Sequence, residues 1–165
     1  MSIAHSKQYK SGSMHVPSAE GQVKWMAGDE YTIKVSSRQT NGSLGFIIAT
    51  VPPGQGPIAH LHKHNDESFY LLEGELEFLD GENTFVASAG DFVFVPRGIR
   101  HRFKNISDRD VKMAFFFTPG GPENFFLDFA DDPLRGHSPR LWTPEDFTPE
   151  MIAVNDAMGN IILPE

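Results

Sequence analysis

Three histidines fall within five residues, at His60, His62 and His64, and Glu67 follows three residues later. Imidazole is the commonest protein ligand for transition metals, and a carboxylate is its usual complement. On a β-strand, residues two apart project from the same face. His60 and His62 therefore aim at one point, and His64 joins them only if the strand continues that far. A mononuclear site built here needs a further group from elsewhere in the chain, and His101 is the candidate. Strand phase supports it. If Glu67 points inward, Phe69 and Leu71 do too; if His101 points inward, so do Ile99 and Phe103, while Arg100, Arg102 and Lys104 face out. A polar imidazole in such an apolar row requires a partner, because burying it alone is costly.

The elements that must position these groups read as strands. Val23–Met26 is short, and Tyr31, Ile33 and Val35 alternate onto one face. Asn41-Gly42 signals a turn before the apolar run from Leu44 to Val51, which is expected to be covered on both faces. Phe69–Leu72, Glu75–Leu79 (with Leu76 and Phe78 inside), Thr84–Ala87, Phe92–Val95, Ile99–Lys104 and Val111–Thr118 follow, separated by Gly, Pro, Asn and Asp. No helical period is seen between Val23 and Thr118, so the pattern is all-β, an antiparallel sandwich or barrel. After the break Pro119-Gly120-Gly121-Pro122 the character changes. Phe125, Phe126 and Phe129 stand at helical spacing. Thr143 and Thr148 each precede a proline in the manner of a helix cap, and Gly159 ends the last helical run. The division expected is an arm over residues 1–22, a barrel over 23–118 and a helical extension over 119–165, packed outside the barrel or over its mouth.

Composition narrows the chemistry. A net charge of −8 and a pI of about 5.3 argue against nucleic acid and anionic membrane surfaces as partners. There is no cysteine, which removes thiolate ligands, disulfides and cysteine nucleophiles. The first residues carry no long apolar run, so a cytoplasmic location is the default expectation. His5, His15 and His137 lie in Ser-, Gly- and Pro-containing surroundings and are expected at the surface. Barrels of this kind commonly pair sheet edges, so a homodimer is expected, with the N-terminal arm a candidate for exchange.

At this point the residues resemble a family. Gly54, His60, His62, Glu67 and Gly74 occupy every fixed position of the first cupin motif. Gly90, Pro96, Gly98, His101 and Asn105 occupy every fixed position of the second, and residues 75–89 separate the two. The chain resembles a single-domain cupin. That resemblance implies a double-stranded β-helix, a jelly-roll barrel, holding one divalent transition metal ion on His60, His62, Glu67 and His101. A frame through His62, His64 and Glu67 is shorter than the family spacing, so His64 is set aside as exposed beside Lys63. Asn105 matches a position whose role is structural.

Three imidazoles and one carboxylate leave two sites of an octahedral shell open, for a chelating substrate or for a substrate and O₂. Fe, Mn, Co, Ni, Cu and Zn all suit the set. The string HNDESFYLLEGELEF, the Gly-Gly break and the acidic tail are similar to quercetinase-like monocupins. The likeness implies a dioxygenase acting on a flavonol or another enolisable aromatic, with Glu67 both ligand and base. Strand parity puts Phe46, Ile48, Phe69, Phe103, Phe115 and Phe117 forward as the substrate pocket. Two alternatives stay open: a non-oxidative cyclase, isomerase or dehydratase using the metal as a Lewis acid, and a cupin that only binds a small molecule.

Overall fold

The computed structural model describes residues 12–163. Eleven strands are seen there, in two sheets. In chain order they are β1 (Gln22–Met26), β2 (Asp29–Val35), β3 (Gly45–Val51), β4 (His60–His62), β5 (Asp66–Glu73), β6 (Glu75–Asp80), β7 (Asn83–Ser88), β8 (Phe92–Val95), β9 (His101–Lys104), β10 (Val111–Thr118) and β11 (Asn160–Ile162). One sheet runs β1-β2-β3-β10-β5-β8 and the other β11-β4-β9-β6-β7, with antiparallel pairing throughout. Chain neighbours are often not sheet neighbours: β10 inserts between β3 and β5, and β9 between β4 and β6. This is the jelly-roll form of the double-stranded β-helix, with its core between the sheets.

Alternation decides which faces meet. In β2, Tyr31, Ile33 and Val35 are buried and the residues between them are half-covered. Ile33 sits opposite Ile47 on β3, which sits opposite Phe115 on β10, which sits opposite Phe69 on β5. One continuous apolar row therefore crosses four strands. Leu76 and Phe78 close the core from the other sheet, as their alternation predicts. The run at β3 departs from expectation. Ile47, Ala49 and Val51 are fully buried, but Phe46, Ile48 and Thr50 are only half-covered, so one face meets the core and the other does not.

The segment after β10 folds back over one end of the barrel. Helix α1 (Glu123–Phe129) has the span that its phenylalanines predict. Pro144–Asp146 forms a 3-10 turn whose Thr143 and Asp146 make a capping box. Helix α2 (Pro149–Ala157) is capped by Thr148, whose Oγ1 accepts from the Met151 N–H at 3.2 Å. Gly159 then adopts φ +77, the left-handed turn a glycine permits, and its carbonyl accepts from the Lys63 N–H. The turn delivers β11 to the edge of β4, a strand that three residues of sequence do not announce.

One buried carboxylate fastens α1 to the barrel. Glu123 is fully buried and accepts hydrogen bonds from the backbone N–H groups of Ser37, at 2.5 Å, and Gly121, at 2.7 Å. It sits against Gly45, where an added Cβ would come within 2.1 Å of its Oε2. No helix among the described residues is long and apolar enough to cross a membrane. Residues 1–11, half of the expected arm and including His5, lie outside the described residues.

Because Gly45 leaves room for Glu123, Gly45→Ala is expected to displace that carboxylate and lower unfolding free energy by about 1–3 kcal/mol. Urea unfolding checks this; an unchanged midpoint and slope would show that α1 moves without cost.

Candidate metal centre and cavity

Four side chains, from two strands of one sheet and one strand of the other, converge between the sheets. His60 and His62 come from β4, His101 from β9 and Glu67 from β5. His60 pairs directly with His101 across β4 and β9, which sets two imidazoles side by side with ring centroids 4.5 Å apart. Their donor atoms and those of His62 and Glu67 all lie within 4.8 Å of one another. His62, Glu67 and His101 are buried, and His60 is half-buried.

The hydrogen bonds fix what each ring presents. His60 Nδ1 faces the Ile58 carbonyl at 2.7 Å, His101 Nδ1 faces the Ile99 carbonyl at 2.8 Å, and His62 Nδ1 faces Asn160 Oδ1 at 2.5 Å. A carbonyl oxygen can only accept, so Nδ1 carries the proton and Nε2 is left with its lone pair in the neutral ring. Yet Nε2 of His62 and of His101 lie 3.0 Å and 2.8 Å from Glu67 Oε2. Lone pairs and a carboxylate at these distances repel unless a cation joins them, a proton or a metal ion. The donor set thus fits a divalent transition metal, and the Nδ1 acceptors are the outer contacts that such sites use to orient their rings.

Electrostatics agree. Burial pushes His60 down to about 3, with the neighbouring His101 and His62 adding to the effect, so His60 is neutral and ready to ligate at neutral pH. Burial would raise the Glu67 carboxyl, but hydrogen bonds from His101 and His62 outweigh it and hold the group well below the usual carboxylate range. Burial would likewise lower His62, and the Glu67 carboxylate reverses this, leaving His62 above its ordinary value.

Against expectation the structure sorts as follows. His60, His62, Glu67 and His101 meet; His64 is exposed on the turn after β4, and His15 and His137 are exposed too. Asn105 is fully buried, donating to the Val51 and Arg109 carbonyls and accepting from Ser107, which is a loop-fixing role.

A cavity of about 780 Å³ opens from the cluster, lined by His60, His62 and Glu67. Of the proposed pocket residues, Phe103, Phe115 and Phe117 line it. Phe69 does not: it is 1% exposed and packed against Phe78 and Phe115 in the core. Phe46 and Ile48 are also corrected, since they project from the outer face of β3, where Phe46 stacks on Phe116. A run apolar at every position carries no phase, so its parity was open. The remaining wall comes from residues that the sequence reading did not propose: Asp29 and Tyr31 of β2, Phe125 and Phe126 of α1, Trp142, and Met151 and Ile152 of α2. The C-terminal segment lies over the mouth. The period-two pattern of β2 was a usable signal for Tyr31; nothing local marked Asn160.

Residues 47–117 match a family model described as a cupin domain. Over 85 residues the chain is 38% identical to a protein named Polyketide synthase CurC from Streptomyces cyaneus, covering 51% of this chain and 53% of that one. Over 121 residues it is 29% identical to quercetin 2,3-dioxygenase of Bacillus subtilis (strain 168), covering 73% of this chain and 35% of that one. The matched region is thus about half, or less, of these relatives' length. Among solved structures, a predicted oxalate decarboxylase from Thermotoga maritima superposes with a TM-score of 0.60 at 24% identity, over 64% of this chain and 99% of that one, which is a likeness of fold.

Asn160 gives the site its own test. Asn160→Ala removes the acceptor at His62 Nδ1 and is expected to weaken zinc or cobalt binding by about 10–100-fold, while Asn160→Asp, which keeps an acceptor oxygen, retains most of it. Competition against a chromogenic chelator reads both. Equal affinity in wild type and Asn160→Ala would remove Asn160 from the site.

Proposed function

We propose that this chain, which matches a cupin domain over residues 47–117, is a metal-dependent enzyme that oxidises an enolisable aromatic small molecule with O₂. One observation carries the reading: three imidazoles and a carboxylate converge at one end of a large cavity whose walls are otherwise mainly aromatic and aliphatic. His60, His62, Glu67 and His101 are the residues that would hold the ion. A divalent transition metal held there would supply Lewis acidity toward a chelating oxygen and a means of engaging O₂.

The chain's own residues would do the rest. Phe115 and Phe117, edge-to-face at 5.7 Å, offer an angled apolar wall on which an aromatic ring can pack. Trp142, Phe126 and Met151 line the same cavity and would help to exclude water. Glu67, which lines the cavity, is placed to accept the proton of a ligand hydroxyl that enters the cluster, so that the ligand reacts as its electron-rich anion. The 29% identity to quercetin 2,3-dioxygenase, extending over 73% of this chain, supports an oxidative reaction on such a ring system.

A second reading has an observation of its own, the 38% identity to a protein named as a polyketide synthase. There the same walls would bind a polyketide, and Glu67 would move a proton during a cyclisation or dehydration without O₂.

Oxygen uptake separates them. The metal-loaded protein is expected to consume O₂ with a flavonol such as quercetin, and a chelator is expected to stop it. Turnover of the same compound at an unchanged rate under strict anaerobiosis would reject the oxidative reading in favour of the second.

A further inference from the structure

The cavity has a second polar pole that the metal cluster does not use. Asp29, at the start of β2, lines the same cavity as His60, His62 and Glu67, yet it is 2% exposed. Its Oδ2 accepts the Tyr31 hydroxyl at 3.0 Å, but its Oδ1 is buried with no hydrogen-bond partner among the described residues. Tyr31 cannot swing away to share itself, because its ring packs on Phe126 at 4.5 Å and edge-on to Phe115 at 6.0 Å. A buried carboxyl oxygen without a partner costs stability, and native structures seldom carry one without a use. The same cavity is lined by Phe103, Phe115, Phe117 and Phe126.

We infer that Asp29 Oδ1 is a second anchor for substrate, accepting a hydrogen bond from a hydroxyl remote from the oxygen that enters the cluster, with Tyr31 as the positioning residue that orients it. The substrate class follows: an aromatic molecule with a chelating enol or phenol oxygen and a further hydroxyl elsewhere on its ring system. The inference rests on the proposed function and sharpens it by naming a second hydroxyl of the substrate. Two facts fit it. Burial pushes Asp29 up to about 7, only partly offset by Tyr31, so a hydroxyl donor would recover part of what burial costs the carboxylate. Burial, with Asp29 beside it, also raises Tyr31 well above its ordinary value, so it stays protonated and keeps donating.

The test is binding, read without turnover. Dissociation constants are measured anaerobically at pH 8, by tryptophan fluorescence, for metal-loaded protein with 3-hydroxyflavone, 3,7-dihydroxyflavone and 3,4′-dihydroxyflavone. In wild type at least one dihydroxy compound is expected to bind about tenfold or more tighter than 3-hydroxyflavone, as a hydrogen bond to a charged group provides. In Asp29→Leu that preference is expected to collapse to within about twofold, with 3-hydroxyflavone itself little changed, and Asp29→Asn, which keeps an acceptor for Tyr31, is expected to restore part of it. Thermal unfolding guards against a folding artefact: Asp29→Asn is expected to be at least as stable as wild type. Binding of 3-hydroxyflavone with no preference for either dihydroxy compound, or a preference that survives in Asp29→Leu, overturns the inference alone. Marked destabilisation by Asp29→Asn makes Asp29 a structural residue and also overturns it. A wild-type protein that binds none of the three overturns it together with the flavonol reading.

Discussion

Four electron-rich groups share one buried space, and this is the constraint on which the structure turns. The carbonyls of Ile58 and Ile99 and the amide oxygen of Asn160 each hold an Nδ1 proton, and so aim the Nε2 lone pairs of His60, His101 and His62 toward the Glu67 carboxylate. Without a cation such a cluster is repulsive; with one it would tie the two sheets together, since Glu67 belongs to one and the histidines to the other. The barrel is what makes the convergence possible. The insertion of β10 beside β5 places Glu67 opposite Phe117, and the pairing of β4 with β9 places His60 opposite His101, so the ligands meet beside the apolar row.

The same geometry explains the division of labour along the cavity. Aromatic residues of β9 and β10 form its floor, and α1, Trp142 and α2 form its far wall. The far wall depends on small backbone devices: Glu123 wedged against Gly45, the Thr148 cap, and the Gly159 turn that sends β11 to β4. Since Asn160 lies on β11 and holds His62, the C-terminal segment both covers the site and orients one of its rings. One three-residue strand thus joins the cover of the cavity to a residue of the cluster.

Much of this was legible in the sequence, for identifiable reasons. Period-two alternation is strong where one face is polar, so β2 and β6 gave their inward residues correctly, as Tyr31, Ile33, Leu76 and Phe78 show. The ligand histidines were legible because residue type and spacing act together, with His64 set aside because a frame through it is shorter than the cupin spacing. Legibility failed where local pattern carries no information. The run Gly45–Val51 is apolar at nearly every position, so its parity could not be read, and Phe46 and Ile48 were placed on the wrong face. Asn160 and Asp29 were missed because their importance lies in distant contacts, one with His62 and the other with a shared cavity.

The central claim is that His60, His62, Glu67 and His101 together hold one transition metal ion. X-ray absorption at the metal edge of the metal-replete protein tests it most directly. The account predicts one ion per chain, surrounded by three imidazole nitrogens and a carboxylate oxygen, with the imidazole count falling to two, or the ion lost, in His101→Ala. A stoichiometric ion whose imidazole count is unchanged by His101→Ala, or a native protein that binds no ion stoichiometrically, would contradict it.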